Sequence, residues 1–264
     1  MDLGLTKKIA LVTGASAGIG FAIAEQMAKE GCHLIICGRH SKNLEKAHQA
    51  LLNFQGEIMS VIADVQQESD SRNLVQKALE KFGKIDILIN NSEGASFSGD
   101  LIENISDEAW KNTFEGKLMG YIRMTNLVLP SMKNQQWGRI INVIGTSGKE
   151  PSSRLIKSGV ANAGLINFTK ALATEVAKFN ILVTGINPGI IDTPRHRQYL
   201  EINANKQGTT IDFIREKIIK NIPIERIGNS HEIANLVTFL SSECASYITG
   251  VTIPVDGGLS TAAF

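Results

Sequence analysis

The sequence predicts an α/β fold, a single doubly wound parallel sheet of about seven strands with helices on both faces. Three observations predict it. Short apolar runs alternate with longer amphipathic stretches, the runs lack polar alternation, and a glycine-rich turn joins the first run to the first helix. A strand buried on both faces has no solvent side, so it reads as a continuous Ile/Val-rich run. Strands separated by helices run parallel, because each crossover returns the chain to the same end of the sheet. No internal repeat, low-complexity stretch or linker divides residues 1–264, which read as one domain.

The predicted strands are 9–12, 33–37, 58–63, 85–89, 139–144, 182–186 and 252–255. The helix at 19–30 follows the glycine turn and stops at Gly31, a residue suited to the left-handed position that ends helices. The stretch 107–132 reads as one long helix. Trp110, Phe114, Leu118, Tyr121, Ile122, Val128 and Leu129 recur at helical spacing behind Ser106, which has the chemistry of an N-cap. An Ala-rich helix is expected at 159–177 and a shorter one at 230–240. The segment 195–226 is polar and too long for a simple connection, so it is read as a substrate-covering lid with a helix near 211–220.

Composition narrows the function classes. Apolar residues are 43% of the chain, enough for a large core, and the formal net charge is only +1. No basic stripe with interleaved aromatics marks a nucleic-acid surface, and no apolar run approaches the ~20 residues of a membrane span. Cys32, Cys37 and Cys244 are odd in number and lack motif spacing, which points to free thiols in a reducing compartment. With no signal-peptide pattern at the start, a cytoplasmic protein is expected. His231-Glu232 lacks the second histidine of a zinc helix, so no metal is expected.

The chemistry starts at Thr13-Gly14-Ala15-Ser16-Ala17-Gly18-Ile19-Gly20, between the first strand and the first helix. Gly14 permits a tight turn, Gly18 lets backbone approach a pyrophosphate, and Gly20 lets the helix pack closely on the sheet. The free N–H groups and partial positive charge of the helix N-terminus then face the phosphates. This turn is a dinucleotide cradle, to which Ser16 and Ile19 also belong.

The spacing Gly-x-x-x-Gly-x-Gly after Thr13 resembles that of the short-chain dehydrogenase/reductase family, a Rossmann-type group, and in particular its 3-oxoacyl-ACP-reductase-like members. Asp64-Val65 resembles the family's adenine-contacting pair, and Asn90-Asn91 its Asn-Asn-Ala-Gly motif, here altered to Asn90-Asn91-Ser92-Glu93-Gly94. Asn187-Pro188-Gly189-Ile190-Ile191-Asp192-Thr193 resembles its nicotinamide-side loop. Glu225-Arg226-Ile227-Gly228, Tyr247-Ile248-Thr249-Gly250 and Val255-Asp256-Gly257-Gly258 resemble its C-terminal signatures. The resemblance assigns Gly14, Ser16, Gly18, Ile19, Gly20, Asp64, Val65, Asn90, Pro188, Gly189, Ile191 and Thr193 to the cofactor. At the end of the second strand Arg39 stands where an acidic residue would repel a 2′-phosphate, so NADP(H) is expected over NAD(H).

The family pattern implied by the resemblance is Tyr-x-x-x-Lys, with a serine thirteen residues earlier and an asparagine on the preceding long helix. Alignment on Gly138-Arg139-Ile140-Ile141-Asn142 and Ala163-Gly164-Leu165 puts these positions on Ser158, Asn162, Gly145 and Lys117. All four are replaced. Candidate catalytic residues are therefore Lys117, a lysine that can titrate near neutrality if desolvated, Ser158, and Ser147 as a hydrogen bond to substrate. Tyr121 reads as core, and Tyr199 lies in the lid. The expectation is an NAD(P)-dependent oxidoreductase acting on a carbonyl or alcohol, with Lys117 or water as proton donor. Two alternatives stay open: an NADP-binding pseudoenzyme serving as sensor or scaffold, and a non-redox enzyme on the same fold. The resemblance also implies a homotetramer, or a homodimer, through 107–132, 159–177 and 252–255.

Overall fold

The computed structural model describes residues 1–92 and 101–262. In chain order β1 (Ile9–Val12), α1 (Gly18–Lys29), β2 (His33–Gly38), α2 (Ser41–Leu51), β3 (Ile58–Ile62), α3 (Glu68–Phe82) and β4 (Ile87–Asn90) form the first half. Then come α4 (Asp107–Thr113), α5 (Gly120–Gln135), β5 (Gly138–Val143), α6 (Ile156–Val176) and β6 (Ile181–Pro188). The chain continues with β7 (Ile191–Asp192), α7 (Pro194–Gln207), α8 (Ile211–Ile219), β8 (Gly228–Asn229), α9 (Ser230–Leu240) and β9 (Thr252–Val255).

Seven of these strands make one sheet, in the order β3-β2-β1-β4-β5-β6-β9. Every neighbouring pair is parallel. β7 and β8 pair separately. Side chains alternate between two cores. On β1, Ala10 and Val12 enter the core beneath α1, α2 and α9, while Ile9 and Leu11 enter the core beneath α3, α5 and α6. Both faces of the strand are dry, which is why its sequence shows no alternation. The chain winds outward from β1 to β3, returns, and winds the other way from β4. The order reverses between β1 and β4, and this opens a crevice at the carboxyl ends of those strands.

Two stretches differ from expectation. The helix at 107–132 is a continuous rod, but Phe114–Met119 is a π-helical turn between α4 and α5. Such a turn inserts one residue into the helical repeat, too local a change to disturb the apolar spacing. Ser106 caps the rod as expected, its hydroxyl accepting from Ala109 N at 3.2 Å. The segment 195–226 is helical over much of its length. Thr193 caps α7 with Pro194 in its first turn, Gly208 ends it, and Thr210 caps α8. Leu200, Ala204 and Ile214 join the two helices in a small core of their own. Among the described residues no helix is long and apolar enough to cross a membrane. Cys32, Cys37 and Cys244 are free thiols, and burial pushes Cys32 and Cys37 up to about 12.

Candidate active site

The glycine turn lies at the mouth of the crevice. A Cβ on Gly20 would sit 2.3 Å from the Gly14 carbonyl oxygen, so only glycine lets α1 start this close to the end of β1. No side chain caps α1, and its first turn holds no acidic residue. Its N-terminal dipole is thus left for an anion. Thr13 and Asn91 stitch the turn to the end of β4. Asn91 N donates to Thr13 Oγ1 at 2.9 Å, and Asn91 Nδ2 donates to the Thr13 and Gly14 carbonyls, both at 3.3 Å. Across the crevice the Thr193 methyl would lie 3.4 Å from a Cβ on Gly18. The loop after β6 and the glycine turn therefore face each other.

The other residues expected at the cofactor fall into two groups. Ser16 lies against the end of β2, where a Cβ on Gly38 would be 3.1 Å from its hydroxyl oxygen, and Arg39 follows, exposed. Burial, and next the charge of Arg39, holds the Arg195 guanidinium below its ordinary value. Asp64 and Val65 end the neighbouring β3 segment, and Asp64 Oδ1 accepts from Gln66 N at 3.0 Å. Pro188 and Gly189 close β6, with Gly189 N donating to the Val255 carbonyl at 3.0 Å. Asn90 and Ile191 point elsewhere. Ile191 is buried in the α1/α9 core. Asn90 Nδ2 donates to Asn142 Oδ1 at 2.9 Å, and Asn142 in turn donates to Thr169 at 3.0 Å, a buried ladder from β4 through β5 to α6. Glu93 and Gly94 lie outside the described residues.

A dinucleotide fits these residues on two counts. The start of α1 is an uncapped donor set. At the end of β6, Asn187 is 1% exposed, yet neither its amide nitrogen nor its oxygen has a partner among the described residues. A buried amide without partners calls for a ligand that completes it.

The residues expected to be catalytic lie on a wall built by the π-turn, the end of β5 and the start of α6. Lys117 sits within the π-turn. Its ammonium donates to the Val143 carbonyl at 3.0 Å and to Tyr121 Oη at 3.1 Å. Tyr121 is fully buried, and its hydroxyl is 2.8 Å from the Val143 carbonyl and 3.0 Å from that of Ser92. Desolvation lowers Lys117 to about 7 and raises Tyr121 above its ordinary value. Tyr121 is core, as expected, but its hydroxyl belongs to the Lys117 cluster. Gly145 has φ +126°, and a Cβ there would be 3.0 Å from Asn162 Nδ2. Ser147 Oγ accepts from that same nitrogen at 3.0 Å. Ser158 stands half-buried in the first turn of α6, and among the described residues no hydrogen bond holds its hydroxyl.

Two residues of this region are given no role by sequence reasoning. Asn91 is the cleft-facing member of the Asn90-Asn91 pair, and strand parity is the signal that could have found it. His196, in the first turn of α7, stacks on Tyr199 with ring centroids 6.2 Å apart. Both its ring nitrogens are buried without partners among the described residues, and burial lowers its pKa. No local pattern announces it.

The comparisons with known proteins agree with this geometry. The family model described as short chain dehydrogenase matches residues 8–203. The NADPH-dependent reductase BacG of Bacillus subtilis is 35% identical over 256 residues, 96% of this chain and 98% of that protein. The 3-oxoacyl-[acyl-carrier-protein] reductase FabG of Escherichia coli is 36% identical over 257 residues, covering 96% of this chain and 97% of its own. Among solved structures, L-sorbose reductase from Gluconobacter frateurii, complexed with NADPH and L-sorbose, superposes with a TM-score of 0.94 at 34% identity. That match covers 99% of this chain and 100% of the other.

Proposed function

The chain belongs to the short-chain dehydrogenase family, and on that premise we propose that it is an NADP(H)-dependent reductase of a small carbonyl compound in which Lys117 is the proton donor. One observation carries the reading. The Lys117 ammonium lies at the carboxyl end of β5, where burial brings its pKa to about 7. It is therefore poised to give and regain a proton at neutral pH. An ammonium has three donors. Val143 and Tyr121 take two of them, and the third is left for a substrate oxygen.

Gly14, Ser16, Gly18, Ile19 and Gly20 hold the pyrophosphate in this reading. Asp64 and Val65 border the adenine, and Asn90, Pro188, Gly189, Ile191 and Thr193 shape the nicotinamide side, Asn90 and Ile191 from within the core. Arg39 takes the 2′-phosphate, supported by the nearness of Arg195 and by the NADPH named for BacG and for the sorbose reductase. When bound, the reduced cofactor supplies a hydride to the carbonyl carbon. Lys117 gives its proton to the carbonyl oxygen, leaving an alcohol, and the neutral amine takes a proton back from water. Ser147 and Ser158 face the substrate, with Ser147 donating a hydrogen bond. The 195–226 segment is the lid, supported by its separate small core. The assembly is a cytoplasmic homotetramer, or homodimer, through α4–α5, α6 and β9, where Met119 and Val160 are exposed. A second reading, cofactor binding without turnover, has one observation in its favour: two of the three Lys117 donors are already satisfied within the fold.

The test is a panel of ketones and aldehydes assayed by NADPH oxidation, beside Kd values for NADPH and NADH. Turnover that falls at least about 100-fold in Lys117→Ala, with NADPH affinity kept, is the expected result. NADPH should bind more tightly than NADH, and Arg39→Ala should erase the difference. Binding with no turnover on any carbonyl would establish the second reading, and wild-type rates in Lys117→Ala would remove Lys117 from the reaction.

A further inference from the structure

We propose that Asn162 is a positioning residue that aims the Ser147 hydroxyl, making Ser147 a second donor to the substrate oxygen beside Lys117. The inference rests on the reductase reading above. Asn162 lies in the second turn of α6 and is 5% exposed. Its Nδ2 donates to Ser147 Oγ at 3.0 Å. A hydroxyl has one proton and two lone pairs. The amide occupies a lone pair and fixes the oxygen, while the Ser147 proton finds no acceptor among the described residues. That proton is left to donate outward, at the carboxyl end of β5, four residues beyond the carbonyl that holds Lys117.

The surrounding backbone is built for this span. Ser147 sits in a tight turn closed by Lys149 N donating to the Thr146 carbonyl at 2.9 Å. The turn lies directly on α6. A Cβ on Gly148 would come within 2.8 Å of the Asn162 carbonyl carbon, and one on Gly159 within 3.1 Å of the Ser147 carbonyl oxygen. With the backbones this close, a side chain as short as asparagine bridges helix and turn. The orientation of the amide follows from what is left over. Nδ2 toward Ser147 leaves Oδ1 buried and unpaired. The reverse would leave a buried NH₂ without an acceptor, and orphaned N–H groups are rarer than under-used carbonyl oxygens.

Asn162→Asp tests the idea by reversing the hydrogen bond at constant shape. A carboxylate only accepts, so it captures the Ser147 proton. The expected result is a drop in kcat/KM of about 100-fold, the size expected for losing one donor to the developing oxyanion. Ser147→Ala should lose as much, and the double variant no more than either single one. Asn162→Asp should regain activity as the pH falls and its carboxyl protonates, which a merely structural defect would not do. NADPH affinity should stay near wild type. Wild-type kcat/KM in Asn162→Asp, or losses that multiply in the double variant, would overturn the proposal while leaving the reductase reading intact. A wild-type enzyme that turns over no carbonyl would overturn both. Should Asn162→Asp not fold, Ser147→Ala decides, and unchanged kcat/KM there ends the proposal.

Discussion

At the scale of single residues, Lys117 carries opposite demands of stability and chemistry. Its pKa falls from 10.5 to about 7 because burial disfavours the charged form. Between these values the folded chain binds fewer protons at Lys117 than the unfolded chain does, so stability rises with pH across that window. With Lys117 as the proposed proton donor the reduction needs the ammonium, so its rate should fall about tenfold for each pH unit above about 7. On that proposal the same residue makes the protein more active where it is less stable. Lys117→Met separates the two effects. It removes the desolvated charge, and the Tyr121 hydroxyl still bonds the Val143 carbonyl. Below neutral pH the variant should gain about 1 kcal/mol, the modest end expected for a side chain that is only partly buried. Its stability should also lose the rise between neutral and alkaline pH, as urea unfolding at a series of pH values would show. A Met variant less stable than wild type at pH 6 would mean that the ammonium is a net structural tie.

At the scale of elements, the turn from β5 into α6 explains why glycine stands at position 145. The backbone there has φ +126°, a region side chains rarely adopt, and a Cβ would press to 3.0 Å from Asn162 Nδ2. Gly145→Ser should therefore cost about 1–3 kcal/mol in chemical denaturation and should not raise turnover. A gain in activity without that cost would show that the turn can adopt a second conformation. Such elements divide what the sequence reveals from what it hides. The strands were legible because burial on both faces leaves a run of Ile and Val, as at Ile87, Leu88 and Ile89. The caps were legible because they act locally, Ser106 through its hydroxyl on Ala109 N three residues on and Gly31 through its own positive φ. The position of Lys117 was legible by counting along the rod, but not the π-turn that holds it, since one inserted residue leaves the apolar period intact. Asn90 and Asn91 looked alike as letters. Only strand parity and the Asn90–Asn142–Thr169 ladder decide which one meets the cleft. His196 was invisible, because no local pattern marks a histidine whose two ring nitrogens are buried.

At the scale of the whole molecule, the sheet has a reactive end and a structural end. The carboxyl ends of the strands hold the glycine turn, Lys117 and Ser147. The opposite end of β5 holds Arg139, whose side chain is 0% exposed. Its guanidinium donates to the Gly138 carbonyl at 2.9 Å and the Asn180 carbonyl at 3.1 Å, and pairs with Glu243 at 3.3 Å. It also lies 4.3 Å from the centroid of the Trp137 ring, over which Lys8 stands at 3.6 Å. Arg139 thus ties the start of β5 to the turn before β6 and to the segment after α9. Arg139→Ala removes these bonds and the packing of a long buried stem, while Glu243, half exposed, can return to water. The loss should be about 2–4 kcal/mol. Because the damage lies at the far end of a rigid sheet, NADPH affinity at low temperature should stay within a factor of about two. Thermal unfolding with and without NADPH measures both effects on one sample. A lower midpoint with an unchanged ligand-induced shift is the expected pattern. A diminished shift would show that the two ends of the sheet are coupled, and that the cofactor crevice depends on how β5 is anchored at its base.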